Sequence, residues 1–386
     1  MTAVAPSPHA AHWDLDPDVV FLNHGSFGAC PRVVLAHQTE LRARLEREPV
    51  LFLHRQLEGL LDEARHELAL LVRCDPDDLA FVPNATAGVN TVLRSLSFAP
   101  GDELLVTDQE YNACRNALDF VAERSGARVV VAPIVLPILA PRDVVDTVLA
   151  HTTPRTKLLL IDHVTSQSGV VMPVEPIVRA LVERGIDTLV DGAHAPGMLP
   201  LDLRALGAAY YTGNCHKWLC SPKGAALLHV RADRQRAIRP LSISHGANSA
   251  RTDRTRFRLE FDFTGTDDPT PYLCVPAALR FLESLLPGGL PALQHHNRSL
   301  AVRARELLVA ALRTTPLCPD EMIGSLAAVD VHGGPADLHS ALWERHRIEV
   351  PVMQLGARRL LRVAPQVYNT PAQFEHLAAV LTTLLR

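Results

Sequence analysis

The sequence predicts an α/β fold: a mostly parallel sheet flanked by helices on both faces, followed by a smaller α+β unit. Three observations predict it. Short apolar runs alternate with helical stretches as far as about Thr270, and that rhythm builds parallel sheets covered on both sides. Beyond Thr270 the rhythm changes to long helical runs with few strand candidates. The composition, 386 residues of which 47% are apolar and 21% charged, is sufficient for a large core plus a second unit.

The elements follow in order. The opening MTAVAPSPHAAHWDLDP has neither a basic nor an apolar segment of the kind that directs export, and residues 1–20 read as a loose N-terminal tail. Leu57, Leu60, Leu61, Ala64, Leu68, Leu71 and Val72 recur at helical spacing until Cys74-Asp75-Pro76 stops the pattern. Leu79–Val82, Glu103–Val106, Arg128–Ala132, Lys157–Ile161, Asp187–Val190 and Ala208–Tyr211 read as strands, with helical stretches Ala87–Leu96, Asn112–Ser125, Asp143–Ala150 and Val174–Arg184 among them. Pro276–Leu286 and Ala292–Leu312 are helical, and Ser325–Val331 and Leu360–Val363 are strand candidates. This divides the chain into a large domain over 21–268 and a small one over 269–386.

The formal charge of −4 leaves no basic field for nucleic acid or an anionic membrane, so a small-molecule partner is expected. Seven scattered cysteines without C-x-x-C spacing argue against a disulfide framework and a zinc site. They read as reduced thiols of a cytoplasmic protein. No uninterrupted apolar run reaches membrane-spanning length.

Two strand ends carry chemistry. Ile186–Val190 runs into Asp191-Gly192-Ala193-His194, and Ala208–Thr212 runs into Gly213-Asn214-Cys215-His216-Lys217-Trp218. Doubly wound sheets bind ligands beyond the carboxyl ends of their strands. A lysine in such surroundings has its pKa lowered by desolvation and can form an imine with an aldehyde, while a strand-end aspartate can keep a pyridine nitrogen protonated. The pair therefore predicts a pyridoxal 5′-phosphate (PLP) site. In Phe81-Val82-Pro83-Asn84-Ala85-Thr86-Ala87-Gly88, small and hydroxyl residues lie between a strand and a helix, where backbone N–H groups and the Thr86 hydroxyl can accept a phosphate.

The chain resembles the class V aminotransferase family of fold-type I PLP-dependent transferases, in particular its isopenicillin N epimerase-like subgroup. The resemblance rests on Val190-Asp191-Gly192-Ala193-His194 with His216-Lys217-Trp218, and runs from Asn23-His24-Gly25-Ser26-Phe27-Gly28 to Arg362-Val363-Ala364-Pro365. It implies that Lys217 is the Schiff-base lysine and proton shuttle, that Asp191 pairs with the pyridine nitrogen, and that His194 lies near the cofactor's phenolic oxygen. Thr86, the Ala87 amide and His216 are implied to bind phosphate, Tyr111 to stack on the pyridine ring, and Ser166 to touch the cofactor. Thr266, in Gly265-Thr266-Asp267-Asp268-Pro269, is implied to complete the phosphate site of a partner subunit, which makes the protein a homodimer. Arg362 is implied to grip the substrate carboxylate, with Asn23, His24, Ser26 and Phe27 lining the substrate side.

The cofactor motif leaves the reaction open. His346–Arg359 contains no cysteine, which disfavours desulfuration through a persulfide. For an L-amino-acid substrate the expectation leans to β-elimination from a cysteine S-conjugate in secondary metabolism. Epimerisation, or a decarboxylation-linked oxidation or transamination, stands as the alternative. A dinucleotide-binding enzyme is disfavoured because no G-x-G-x-x-G follows the first strand.

Overall fold

The computed structural model describes residues 4–385. Its main sheet comprises β1 (Leu79–Val82), β2 (Glu103–Thr107), β3 (Arg128–Ala132), β4 (Thr156–Asp162), β5 (Asp187–Asp191), β6 (Tyr210–Asn214) and β7 (Ala226–Val230), in the spatial order β1-β7-β6-β5-β4-β2-β3. Strands β3, β2, β4, β5 and β6 pair in parallel, while β7 runs antiparallel to both of its neighbours, β6 and β1.

Alternation along the strands divides their apolar residues between two cores. Leu105, Leu159, Ile161, Val190 and Tyr211 join the face covered by Leu57–Val72 and Val174–Val182. Leu104, Val106, Leu158, Leu160, Leu189 and Tyr210 join the face covered by Ala85–Ser95 and Asn112–Ser125. Burial on both faces is why these strands read as continuous apolar runs. It also leaves only the strand ends for polar chemistry. The reversed strand β7 was not among the expected strands.

A second sheet of β8 (Ala327–Asp330), β9 (Val352–Leu355) and β10 (Arg358–Val363) is antiparallel, in the order β9-β10-β8, and packs with the helices Gly289–Leu312 and Pro371–Leu384. The opening segment is sewn to this part of the chain: Val20–Phe21 pairs in parallel with Ile348–Glu349, and Asn23 bridges Ala364.

Residues 4–20 are not a loose tail, and the expectation is corrected. Pro8–His12 forms a 3-10 turn capped by Ser7, whose own amide donates to the Tyr368 carbonyl at 2.9 Å. Trp13 is buried edge-on against Phe281 and Tyr368, with its indole N–H donated to the Ala29 carbonyl at 3.1 Å. Burying an aromatic of this size outweighs the entropy of ordering a short segment. Among the described residues no single helix is long and apolar enough to cross a membrane.

Candidate active site

Asp191 is the last residue of β5, and Lys217 lies three residues beyond the end of the adjacent β6. The sequence holds only three lysines. Lys157 pairs with Asp102 at the surface and Lys223 donates to the Gly28 carbonyl at 2.8 Å, which leaves Lys217 as the lysine at the strand-end cluster. Its Nζ sits 3.2 Å from His194 Nε2. Poor solvation, with the Arg362 guanidinium adding repulsion, lowers the Lys217 amine to about 7 despite attraction from Asp191 and Asp162. A buried His194 beside two cations is held well below its usual pKa and is neutral. The indole N–H of Trp218 lies 3.4 Å from its Nδ1.

Asp191 is buried, accepts the Ala193 amide at 2.9 Å on Oδ1, and receives the Cys114 thiol at 3.1 Å on Oδ2. Burial raises its pKa, while those two hydrogen bonds and Lys217 oppose the rise. Next to it in the sheet register stands Asp162, and Glu110 lies in the same cluster; the sequence reading named neither. Asp162 could have been found by the logic that found Asp191, because it too ends a parallel strand.

The opening loop is laid directly on the lysine segment. Gly28 has φ +71°, and a Cβ there would lie 2.1 Å from the His216 carbonyl oxygen and 2.9 Å from Lys217 Cα. Only glycine fits so close a crossing. The four-residue helix His24–Phe27 precedes it and brings Asn23 and Ser26 to Arg362. Arg362, on β10 and buried, donates to Ser26 Oγ at 3.0 Å, to Asn23 Oδ1 at 3.4 Å and to the Ser166 carbonyl, while its Nε has no protein partner. A buried guanidinium with an unused donor, held by neutral oxygens, is prepared for a carboxylate.

His24, expected on the substrate side, has both ring nitrogens engaged within the protein. It is wholly buried; Nδ1 bonds the Tyr368 hydroxyl at 2.8 Å and Nε2 the Lys217 carbonyl at 3.0 Å. Burial lowers its pKa to about 3, so it serves as a neutral brace behind the lysine segment. Phe27 lies at the other extreme, 76% exposed at the surface.

At the start of Ala85–Ser95, Asn84 caps the helix and its Oδ1 already accepts the Ala87 amide at 2.8 Å. The Ala87 amide is therefore not free for phosphate without displacing the cap, whereas Thr86 lies half-buried in the first turn. The Ala85 amide is also taken, by Asn214 of β6 at 2.8 Å, which ties the cradle to the lysine strand. His216 Nδ1 donates to the Ala225 carbonyl at 2.9 Å, and burial lowers the ring's pKa to about 4. Tyr111 is the N-cap of Asn112–Ser125 and is 45% exposed.

Thr266 is not brought into the Lys217 cluster of its own chain. It lies on an exposed loop whose Gly265 and Asp267 line one cavity with Ala87, while Thr266 itself faces a neighbouring cavity with His245.

The fold and this constellation define an α/β enzyme built around a strand-end lysine and aspartate. The residues present fit PLP: a buried amine with a lowered pKa, a buried carboxylate at the adjacent strand end and a polar helix start lie together. The chain belongs to the aminotransferase class-V family, whose model matches residues 19–367, and it is a PLP-dependent enzyme. It is 38% identical to an isopenicillin N epimerase of Amycolatopsis lactamdurans, with 100% of each chain covered. It is 28% identical to a probable chloroplastic L-cysteine desulfhydrase of Arabidopsis thaliana, covering 96% of this chain and 84% of the relative. A solved cystine C–S lyase bound to cysteine persulfide shares the fold with TM-score 0.81 at 24% identity, over 95% of this chain and 98% of that one.

Proposed function

We propose that this enzyme removes the Cα proton of an L-amino-acid substrate and returns a proton to the opposite face, an epimerisation. The observation that carries the reading is the Lys217 amine, enclosed beside His194 and Arg362 and lowered to about 7, so that a large share of it is unprotonated near neutral pH. A base must be unprotonated at working pH and within reach of the proton it takes. PLP, bound at this site, supplies an electron sink that lowers the barrier to losing a Cα substituent.

Lys217 carries the cofactor and then serves as base, Asp191 holds the pyridine nitrogen, and His194 lies by the phenolic oxygen. Thr86 and His216 bind the phosphate, Tyr111 stacks on the ring and Ser166 borders it. Arg362, set by Asn23 and Ser26, binds the substrate carboxylate. A second copy of the chain supplies Thr266, which suits an exposed loop that shares cavities with the exposed apolar side chains Val50 and Leu241. A cytoplasmic location suits seven unpaired cysteines.

The sequence expectation leaned to carbon–sulfur cleavage. The higher identity to the epimerase, over the full length of both chains, favours epimerisation. The desulfhydrase relative supports β-elimination of a cysteine S-substituent as the second reading. Incubation with isopenicillin N, L-amino acids and L-cysteine S-conjugates in D₂O separates the two. Deuterated D-product without pyruvate supports epimerisation, and pyruvate with a released thiol supports elimination. If no substrate gave either exchange at Cα or release of pyruvate, both readings would be overturned.

A further inference from the structure

Three carboxylates meet behind the lysine. Asp162 ends β4 opposite Asp191 at the end of β5, and their Cα atoms are direct register partners. The ligand atoms of Glu110, Cys114 and Asp191 lie within 4.8 Å of one another. All three acids are buried, at 7%, 3% and 1% exposure for Glu110, Asp162 and Asp191. Hydrogen bonding is unequal among them. Asp191 has the Ala193 amide and the Cys114 thiol, whereas both Glu110 oxygens and Asp162 Oδ2 lack a well-formed hydrogen bond, and the Tyr111 amide is the backbone donor that the two acids share.

An ionised carboxylate in a dry interior requires donors or a cation, and like charges so close cannot all persist. The cations that face the cluster are few. Lys217 attracts Asp162 and Asp191, and Arg115, on the same helix as Cys114, is tied to Asp119 at 2.9 Å. The remaining titratable neighbours, the Cys114 thiol and the Tyr211 phenol, are both pushed upward by burial and by Asp191, so neither offers charge compensation. The Tyr211 hydroxyl is engaged by His163 Nδ1 at 2.9 Å.

We propose that Glu110 and Asp162 are positioning residues that stay protonated as a neutral acid pair behind Asp191, leaving Asp191 as the single negative charge at this end of the cleft. A protonated carboxyl carries no charge, so neither acid needs a cation to remain buried. One carboxylate charge, rather than three, then faces the pyridine nitrogen. The inference deepens the PLP reading and rests on it for the role of Asp191 alone; the protonation of the pair is testable in cofactor-free protein.

Infrared spectroscopy of the cofactor-free and PLP-loaded protein at about pH 8, where free carboxyls are fully ionised, decides the matter. Two protonated-carboxyl C=O bands are expected, each shifting in D₂O. One disappears in Glu110→Gln and the other in Asp162→Asn, and both variants keep the wild-type absorbance of the bound cofactor because the amides imitate neutral acids. Should a variant fail to fold, side-chain ¹³C-labelled glutamate or aspartate in the unaltered protein moves the two bands separately. Absence of both bands in the wild type overturns the proposal, and so does a stoichiometric divalent ion in the purified protein, which would hold the carboxylates in charged form. Failure of the wild-type protein to bind PLP, with both bands present, would instead count against the PLP reading and leave the neutral acid pair standing.

Discussion

Gly28 is where the substrate-side loop touches the catalytic segment, and Gly28→Ala tests whether that crossing sets the lysine. Two costs are expected. At φ +71° and ψ 163° an alanine enters backbone space essentially reserved for glycine, at a cost of about 1–3 kcal/mol. Its Cβ would also stand 2.1 Å from the His216 carbonyl oxygen, where real contacts stay beyond 3.0 Å, so the two backbones must part by roughly 1 Å. A misplacement of that size costs on the order of 10²-fold in rate. Gly185 supplies the control: its φ is +70°, yet open space surrounds its Cβ position. Gly185→Ala therefore tests an alanine at positive φ without a clash. Thermal unfolding, cofactor absorbance and solvent-deuterium exchange at substrate Cα are measured on both. Gly185→Ala is expected to lose about 1–2 kcal/mol of stability with exchange intact, whereas Gly28→Ala loses more and exchanges on the order of 10²-fold more slowly. Equal stability and equal exchange in the two variants would refute the crossing as the device that places Lys217.

Arg362→Lys removes the planar two-pronged donor; at about 1.5–3 kcal/mol for a charged hydrogen bond, kcat/KM should fall by roughly 10- to 100-fold, chiefly through KM, and an unchanged KM would remove Arg362 from substrate binding. In cofactor-free protein the Lys217 amine, lowered to about 7, loses its proton as pH rises through that value, so its acylation rate should climb around pH 7 and not near pH 10. Glu110, held well above its usual pKa by burial, keeps its proton in the folded state as the unfolded chain loses its own, so it costs stability progressively as pH rises from about 4.5 upward. Chemical denaturation of the cofactor-free protein should accordingly show Glu110→Gln gaining on the wild type as pH increases, and a constant difference would contradict a raised native pKa. Trp13→Ala should cost about 3–5 kcal/mol in thermal unfolding, whereas a loose tail would cost nothing.

The sheet was legible because strands buried on both faces must be apolar throughout; Arg128–Ala132 and Asn112–Ser125 were read to the residue. Asp191 and Lys217 were legible because an otherwise apolar strand has only its end for chemistry. The reversed strand Ala226–Val230 was not, since a five-residue run containing His229 carries no sign of direction. The surroundings of His24 were not legible for a different reason: its burial and the partners of its ring nitrogens, Tyr368 and the Lys217 carbonyl, are set by residues far away in sequence. The same holds for Asp162 and Glu110, which become a cluster only when β4 is laid beside β5. Trp13 was passed over because its partners Phe281 and Tyr368 come from the far end of the chain.

The central claim is that Lys217 is the residue to which PLP is joined, and borohydride reduction of the loaded enzyme followed by peptide mapping tests it most directly. With only Lys157, Lys217 and Lys223 available, the outcome is a choice among three peptides. A reduced pyridoxyl group on Lys217, with Lys217→Ala losing the cofactor absorbance, is the expected result; the label on Lys157 or Lys223, or a Lys217→Ala variant that keeps the native band, would contradict it.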